Sequence, residues 1–166
     1  MTNSASYQNP QIICATTLED KQKCIEVRIQ VFIKELEYPP EVESLDTLDS
    51  VATLWLATCE KAGDGDDSKT TTIPVGTIRM LPYDDDDTVC VLSRLAVVSE
   101  VRGMKLGQKL VEAFEQGAKD AGKKAIMVQG VAEKRGFYEA LGYTVETDEA
   151  YIKDGSPHYQ FWKRNL

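Results

Sequence analysis

The stretch Val91 to Leu110, VLSRLAVVSEVRGMKLGQKL, does most to limit what this chain can fold into. Val89 to Val98 is an apolar run broken only by Ser93 and Arg94, the pattern of a central strand buried on both faces. It passes through a loop holding Gly103 and feeds into a helix. There Leu106, Leu110, Val111, Phe114 and Ala118 share one stripe that ends near Gly122. Ala125 to Val128 then reads as a second strand. A strand, a helix and a strand in this order place the two strands side by side and parallel.

The flanking segments extend the sheet. Leu54 to Cys59 and Pro74 to Leu81 read as strands of an antiparallel meander, with Lys61 to Thr72 as a turn-rich insertion and Asp84 to Asp87 as a loop. Gln11 to Ala15 suits a further strand. Thr16 and Glu19 form a capping box that opens a helix, on which Ile25, Ile29 and Phe32 fall on one face. Pro39 and Pro40 end it, and an acidic loop runs to Asp49. Towards the C-terminus a short helix carries Phe137, Tyr138 and Leu141 and stops at Gly142. Tyr143 to Val145 and Tyr159 to Trp162 are the last expected strands, joined through the turn Asp154-Gly155-Ser156-Pro157. The expectation is an α+β fold: one mixed, mostly antiparallel sheet of six to seven strands around a central parallel pair, with helices on both faces.

A chain of 166 residues is the size of one domain, so residues 1–166 read as a single unit, with 1–9 as a flexible tail. The net charge of −8 argues against nucleic-acid or anionic-membrane partners, which need basic stripes. Much of it lies in two solvated runs, Asp64 to Asp67 and Asp84 to Asp87. Cys14, Cys59 and Cys90 sit in apolar runs and read as buried thiols of a reducing compartment; Cys24 pairs with none of them as a CxxC. With His158 the only histidine, no metal site is expected. The N-terminus lacks the basic and apolar regions of a signal peptide, so the cytoplasm is the expected location.

Chemistry concentrates in the loop before the second helix. Arg102, Lys105 and Lys109 gather positive charge in an acidic chain, and Gly103 and Gly107 remove side chains from its approach. The free N–H groups of the helix start carry about half a positive charge. Together these make an anion site suited to a pyrophosphate. Glycine and lysine are also common in any loop before a helix. The spacing matches neither GxGxxG nor GxxxxGK[ST].

Arg102-Gly103-Met104-Lys105-Leu106-Gly107 resembles the (Gln/Arg)-x-x-Gly-x-(Gly/Ala) pyrophosphate loop of GNAT acetyltransferases, with Lys105 where that pattern has its first glycine. A lysine there is similar to the R-G-x-K-x-G of the ElaA-like branch. Arg28, Val31, Phe32 and Glu35 also resemble that branch, as do Asp46 and Asp49, the run Gly136 to Tyr143, and the tail Asp154 to His158. The resemblance implies a GNAT-type domain whose parallel pair splays apart to admit the pantetheine arm of acetyl-CoA. Leu95, Ala96 and Val97 would offer it backbone groups. Arg102, Gly103, Met104, Lys105, Leu106, Gly107 and Gln108 would wrap the pyrophosphate, with Phe137 and Tyr138 beside the cofactor.

The same resemblance implies that Tyr138 is the general acid for the departing thiolate; a core or cofactor-packing tyrosine is the plainer reading. A lysine-like amine must lose a proton, at a cost of about 4.6 kcal/mol at pH 7, and Glu35 is the first candidate to relay it. A solvated helix-end charge is the plainer reading of Glu35. Arg28 is expected to pair with a carboxylate of the acidic loop or to meet substrate, and His158 to order its turn or line the substrate cleft. Trp55, Tyr159, Phe161 and Trp162 read as packing residues. The expected activity is acyl transfer from acetyl-CoA to a primary amine, either a small molecule or a protein lysine. The acidic surface favours a cationic acceptor, and the chain could form a homodimer. A CoA-binding sensor or scaffold without turnover is the alternative.

Overall fold

In the computed structural model, residues 6–63 and 66–166 are described, with the side chains of 66–68 left aside. Among them eight strands form one sheet in the order β1 (Tyr7–Cys14), β2 (Thr53–Gly63), β3 (Asp66–Pro82), β4 (Val89–Val97), β5 (Ala125–Val131), β8 (Ser156–Arg164), β6 (Thr144–Val145), while β7 (Tyr151–Lys153) pairs with the first part of β8. The β4–β5 pair is parallel and every other pairing is antiparallel. Four helices accompany the sheet: α1 (Leu18–Arg28), α2 (Glu41–Ser44), α3 (Leu106–Asp120) and α4 (Arg135–Ala140). This is the expected α+β architecture with one more strand.

The two faces separate by residue parity, as pleating requires. On one face Ile78, Leu92, Ile126, Val128 and Phe161 pack with Leu106, Leu110, Val111, Phe114 and Ala118 of α3 in one core cluster. These five helix positions are the stripe expected from the sequence. On the other face α1 sets Cys24 against Leu54 and Leu56. Helix α3 approaches the sheet closely because Gly117 has no side chain: a Cβ there would lie 2.5 Å from Cζ2 of Trp55.

Several local expectations are corrected. The N-cap of α1 is Thr17, whose Oγ1 accepts from Asp20 N at 3.1 Å, one residue beyond the expected Thr16–Glu19 box. The buried stripe is Cys24, Val27, Arg28 and Val31, not Ile25, Ile29 and Phe32. Apolarity misplaced the register by one residue because an arginine holds a core-facing position. The chain then widens into a π-helix over Ile29–Glu35.

Lys61 to Thr72 does not form a turn-rich insertion: β2 and β3 stay paired through Ala62↔Thr70 and Gly63↔Asp66. Asp64 and Gly65, part of the first acidic run, lie outside the described residues, as do residues 1–5 of the expected tail. Tyr7 and Gln8 of that tail pair with Lys61 and Glu60, and Pro10 is accommodated where the register shifts between Gln8 and Gln11. Cys14 is exposed on this edge, while Cys24, Cys59 and Cys90 are buried. The turn at Asp154 and Gly155, with φ of 53° and 80°, has the doubly positive φ of a tight hairpin. It joins β7 to β8 rather than following β6 directly.

Candidate active site

The parallel pair is joined only at its beginning. Val89↔Ala125 through Leu92↔Val128 are in register, yet β4 continues to Val97 and β5 to Val131. Beyond Leu92 and Val128 the strands part. A register shift on the β3 side, between Thr77 and Arg79, coincides with Arg94 at φ 51°. A bulge of this kind bends a strand, and here it falls just beyond the last β4–β5 pair. Leu95, Ala96 and Val97 therefore turn one backbone edge to an open slot.

The start of α3 lies at the mouth of this slot. Lys105 occupies the N-cap in the left-handed region, φ 59° and ψ 30°, with no side-chain cap. Within the preceding loop the Val101, Arg102, Gly103 and Met104 N–H groups are bonded internally. Those of the first helical turn, Leu106, Gly107 and Gln108, are the orphans every α-helix leaves. Arg102 is committed elsewhere: its Nε donates to Val97 O at 3.0 Å and its Nη2 to Glu35 Oε1 at 2.6 Å, with Nη1 on the second Glu35 oxygen. The side chain ties the end of β4 and the end of the π-helix to the loop.

An aromatic wall links helix start to slot. A Cβ on Gly107 would meet Phe137 at 3.6 Å, and one on Gly130, in the splayed part of β5, would lie 2.9 Å from Cε2 of Tyr138. Phe137 and Tyr138 stand edge to face at 5.2 Å, and Tyr138 packs on Tyr143 and Phe161 at 5.9 and 5.0 Å. Burial pushes the Tyr138 phenol well above its ordinary value, which keeps its proton in place at neutral pH.

The opposite face carries an ion cluster. Arg28, 2% exposed, donates to both oxygens of Glu43 and of Asp49. Arg79 binds Ser93, Asp46 and Asp49, and Arg94 binds Asp46 and the Val42 carbonyl. Burial alone would raise the Asp46 carboxyl. The Arg79 bond, the Leu48 N–H and the charges of Arg79 and Arg94 outweigh it and hold the group at about 2. Arg28 thus directs its donors to Glu43 and Asp49, the pairing with the acidic loop that was expected. A cavity of about 270 Å³ lies between α2, Leu48, Arg94 and Asp154.

His158 is buried on β8, with Nδ1 2.9 Å from Ser156 O. Lys153 Nζ reaches Gln129 Oε1 at 2.8 Å. Burial lowers its pKa, Asp154 opposes that, and Arg94 and Arg79 add to it. The predicted loop, slot and aromatic residues therefore converge. Arg28 lies in the ion cluster and Glu35 in the loop's own ion pair. The sequence reading passed over Arg79, Arg94, Glu43 and Lys153. A basic residue interrupting an apolar strand, as Arg79 and Arg94 do, was the signal available.

A family profile described as an acetyltransferase (GNAT) domain matches residues 53–145, more than half of the chain. The chain belongs to the GNAT acetyltransferase family. The match runs from β2 to β6 and takes in the slot, loop and aromatic wall of this GNAT domain, leaving Arg28, Glu35 and His158 outside. Bacillus subtilis YjcF, described as an uncharacterised N-acetyltransferase, is 27% identical over 151 residues, 91% of this chain and 97% of that one. Escherichia coli ElaA is 32% identical over 81 residues, 48% of this chain and 52% of ElaA. The ElaA crystal structure aligns with a TM-score of 0.72 at 23% identity, covering 94% and 99% of the two chains. An acyl-CoA N-acyltransferase from Pseudomonas aeruginosa aligns at 0.74 and 22% identity, covering 93% and 99%. Both structural likenesses establish the fold. Among the described residues no helix is long and apolar enough to cross a membrane, and no group of metal-ligating side chains is found.

Proposed function

We propose that this GNAT domain transfers an acyl group, acetyl in the first instance, from acyl-CoA to a primary amine by direct attack. One observation carries the reading: the β4–β5 pair opens after Leu92 and Val128, with an uncapped helix start at its mouth. The slot suits an extended arm that needs backbone partners, and the helix start suits its pyrophosphate. The acyl-CoA named for the Pseudomonas aeruginosa neighbour supports the same ligand here.

In this reading Leu95, Ala96 and Val97 bind the pantetheine and the Lys105 to Gln108 backbone binds the phosphates, with the Lys105 charge beside them. Arg102 and Glu35 fix the loop, so Glu35 acts on its geometry rather than as the base. Phe137 covers the cofactor, and Tyr138 donates a proton to sulfur as the thiol leaves. The water-poor wall that raises the phenol also makes a thiolate there more basic, so transfer between them stays feasible. The ion cluster and the adjoining cavity bound the acceptor's entry.

Calorimetry with acetyl-CoA tests the cofactor. The wild type binds, and Gly107→Trp, which drives a bulky ring into Phe137 and the loop, does not. Absence of binding by folded wild type ends this reading. Tyr138→Phe separates enzyme from sensor: binding persists while amine-dependent thiol release falls about 100-fold. A wild type that binds but releases no thiol with any amine leaves the sensor role.

A further inference from the structure

We propose, on the transferase reading above, that Nε2 of His158 accepts the proton of the attacking amine. Ser156 O, as a carbonyl, can only accept, so the Nδ1 facing it at 2.9 Å carries the hydrogen. In the neutral ring that leaves Nε2 as a lone pair, and no described residue bonds it. The ring is 7% exposed and stacks on Tyr151 at 6.0 Å. The Tyr151 hydroxyl beside it is buried without a hydrogen-bond partner.

Strand register gives the position. His158 lies directly across from Val131 on β5 and from Tyr151 on β7, and directly opposed residues share a face. Val131 and Gln129 lie in the splayed part of β5, where Gly130 between them turns to the other face and to Tyr138. His158 and Tyr138 therefore flank the slot from opposite faces of the sheet. On its own face β7 sets the ionisable groups Tyr151 opposite His158 and Lys153 opposite Ser156, with Asp154 in the turn that follows. Among the described residues no carboxylate bonds the imidazole.

Opposed placement suits direct transfer. The amine arrives on the His158 side, where the ion cluster and cavity lie, and its lone pair forms the C–N bond to the acyl carbon. The C–S bond breaks with its electron pair on sulfur, which takes the Tyr138 proton. The nitrogen lone pair is free because the arriving ammonium has first given one proton to Nε2, which passes it to solvent; the second proton, shed by nitrogen after attack, goes to water. The balance is alkylammonium plus thioester giving amide, thiol and one proton to solvent, with Tyr138 reprotonated from water.

The test compares two probe amines at neutral pH in wild type and His158→Gln, with thiol release as readout and acetyl-CoA calorimetry alongside. Butylamine is an ammonium under these conditions and must lose a proton; trifluoroethylamine is already uncharged. The substitution is expected to lower kcat/KM about 100-fold with butylamine and only a few-fold with trifluoroethylamine, with cofactor affinity unchanged. Equal losses with both amines would mean that His158 only shapes the cleft, overturning the proposal while transfer stands. Wild type that binds acetyl-CoA yet acylates neither amine overturns the transferase reading and this assignment together. His158→Asn serves as the second variant if His158→Gln does not fold, judged by the same ratio.

Discussion

Gly130 and Tyr138 share one space: the Cβ that Gly130 lacks would lie 2.9 Å from Cε2 of the tyrosine and 3.0 Å from Cε2 of Phe161. Both rings are buried, so neither can swing aside cheaply. Gly130→Ala is therefore expected to destabilise the fold by about 1–3 kcal/mol, the usual cost of overpacking. It should also lower kcat by displacing the phenol. Denaturant melts and steady-state rates check both; unchanged stability would mean that the aromatic wall is looser than it looks.

Gly117 sets two opposing effects against each other. Alanine is favoured over glycine within a helix by about 1 kcal/mol, but its Cβ would fall 2.5 Å from Trp55 Cζ2. Trp55 is itself buried against Phe114, with ring centroids 5.6 Å apart. Sterics should win, and Gly117→Ala is expected to lower the unfolding free energy by about 1–2 kcal/mol net. A stabilised variant would show that α3 can shift outward.

The ion cluster makes the fold acid-sensitive. The carboxyls of Asp46 and Asp49 are both held below their ordinary values, Asp46 at about 2. For each, burial pushes upward and the arginine bonds prevail. A depressed folded value means that stability is fully present above the unfolded value near 4 and is lost as pH falls towards 2. Urea midpoints should drop across that window, and less so in Asp46→Asn. Arg28→Met, which leaves buried Glu43 with only the longer 3.4 Å contact to Arg94 and loosens Asp49, should cost about 3–5 kcal/mol; a cost below about 1 kcal/mol would mean that water reaches the cluster.

Glu35 offers a clean discrimination. The Arg102 and Glu35 side chains are 44% and 31% exposed, and a partly solvated pair of this kind is worth about 0–1 kcal/mol. Glu35→Gln should leave thermal stability and kcat nearly unchanged while altering acetyl-CoA affinity through a freed Arg102. A kcat loss near 100-fold with unaltered affinity would return Glu35 to the role of base.

The helix α3 stripe, the central parallel pair and the glycine loop were legible in sequence because their signals are local: periodicity, apolar runs and backbone freedom act within a few residues. The first helix was misread by one residue because Arg28 faces the core. Only Glu43 and Asp49, folded back from a later loop, make that burial tolerable. The Lys61 to Thr72 segment looked like loop because its polar residues hide a hairpin whose stability lies in cross-strand pairing.

The sequence by itself determined the fold class, the glycine loop before α3 and the aromatic pair Phe137–Tyr138. Each follows from chain-local chemistry or from resemblance across short runs. Only the tertiary structure decided that the β4–β5 pairing ends at Leu92 and Val128, that Glu35 is bound by Arg102, and that His158 and Tyr138 lie against opposite faces of the sheet. Those facts depend on strand register and on contacts between residues far apart in sequence, such as the 67 that separate Glu35 from Arg102. Contacts across such separations form only once the sheet has assembled.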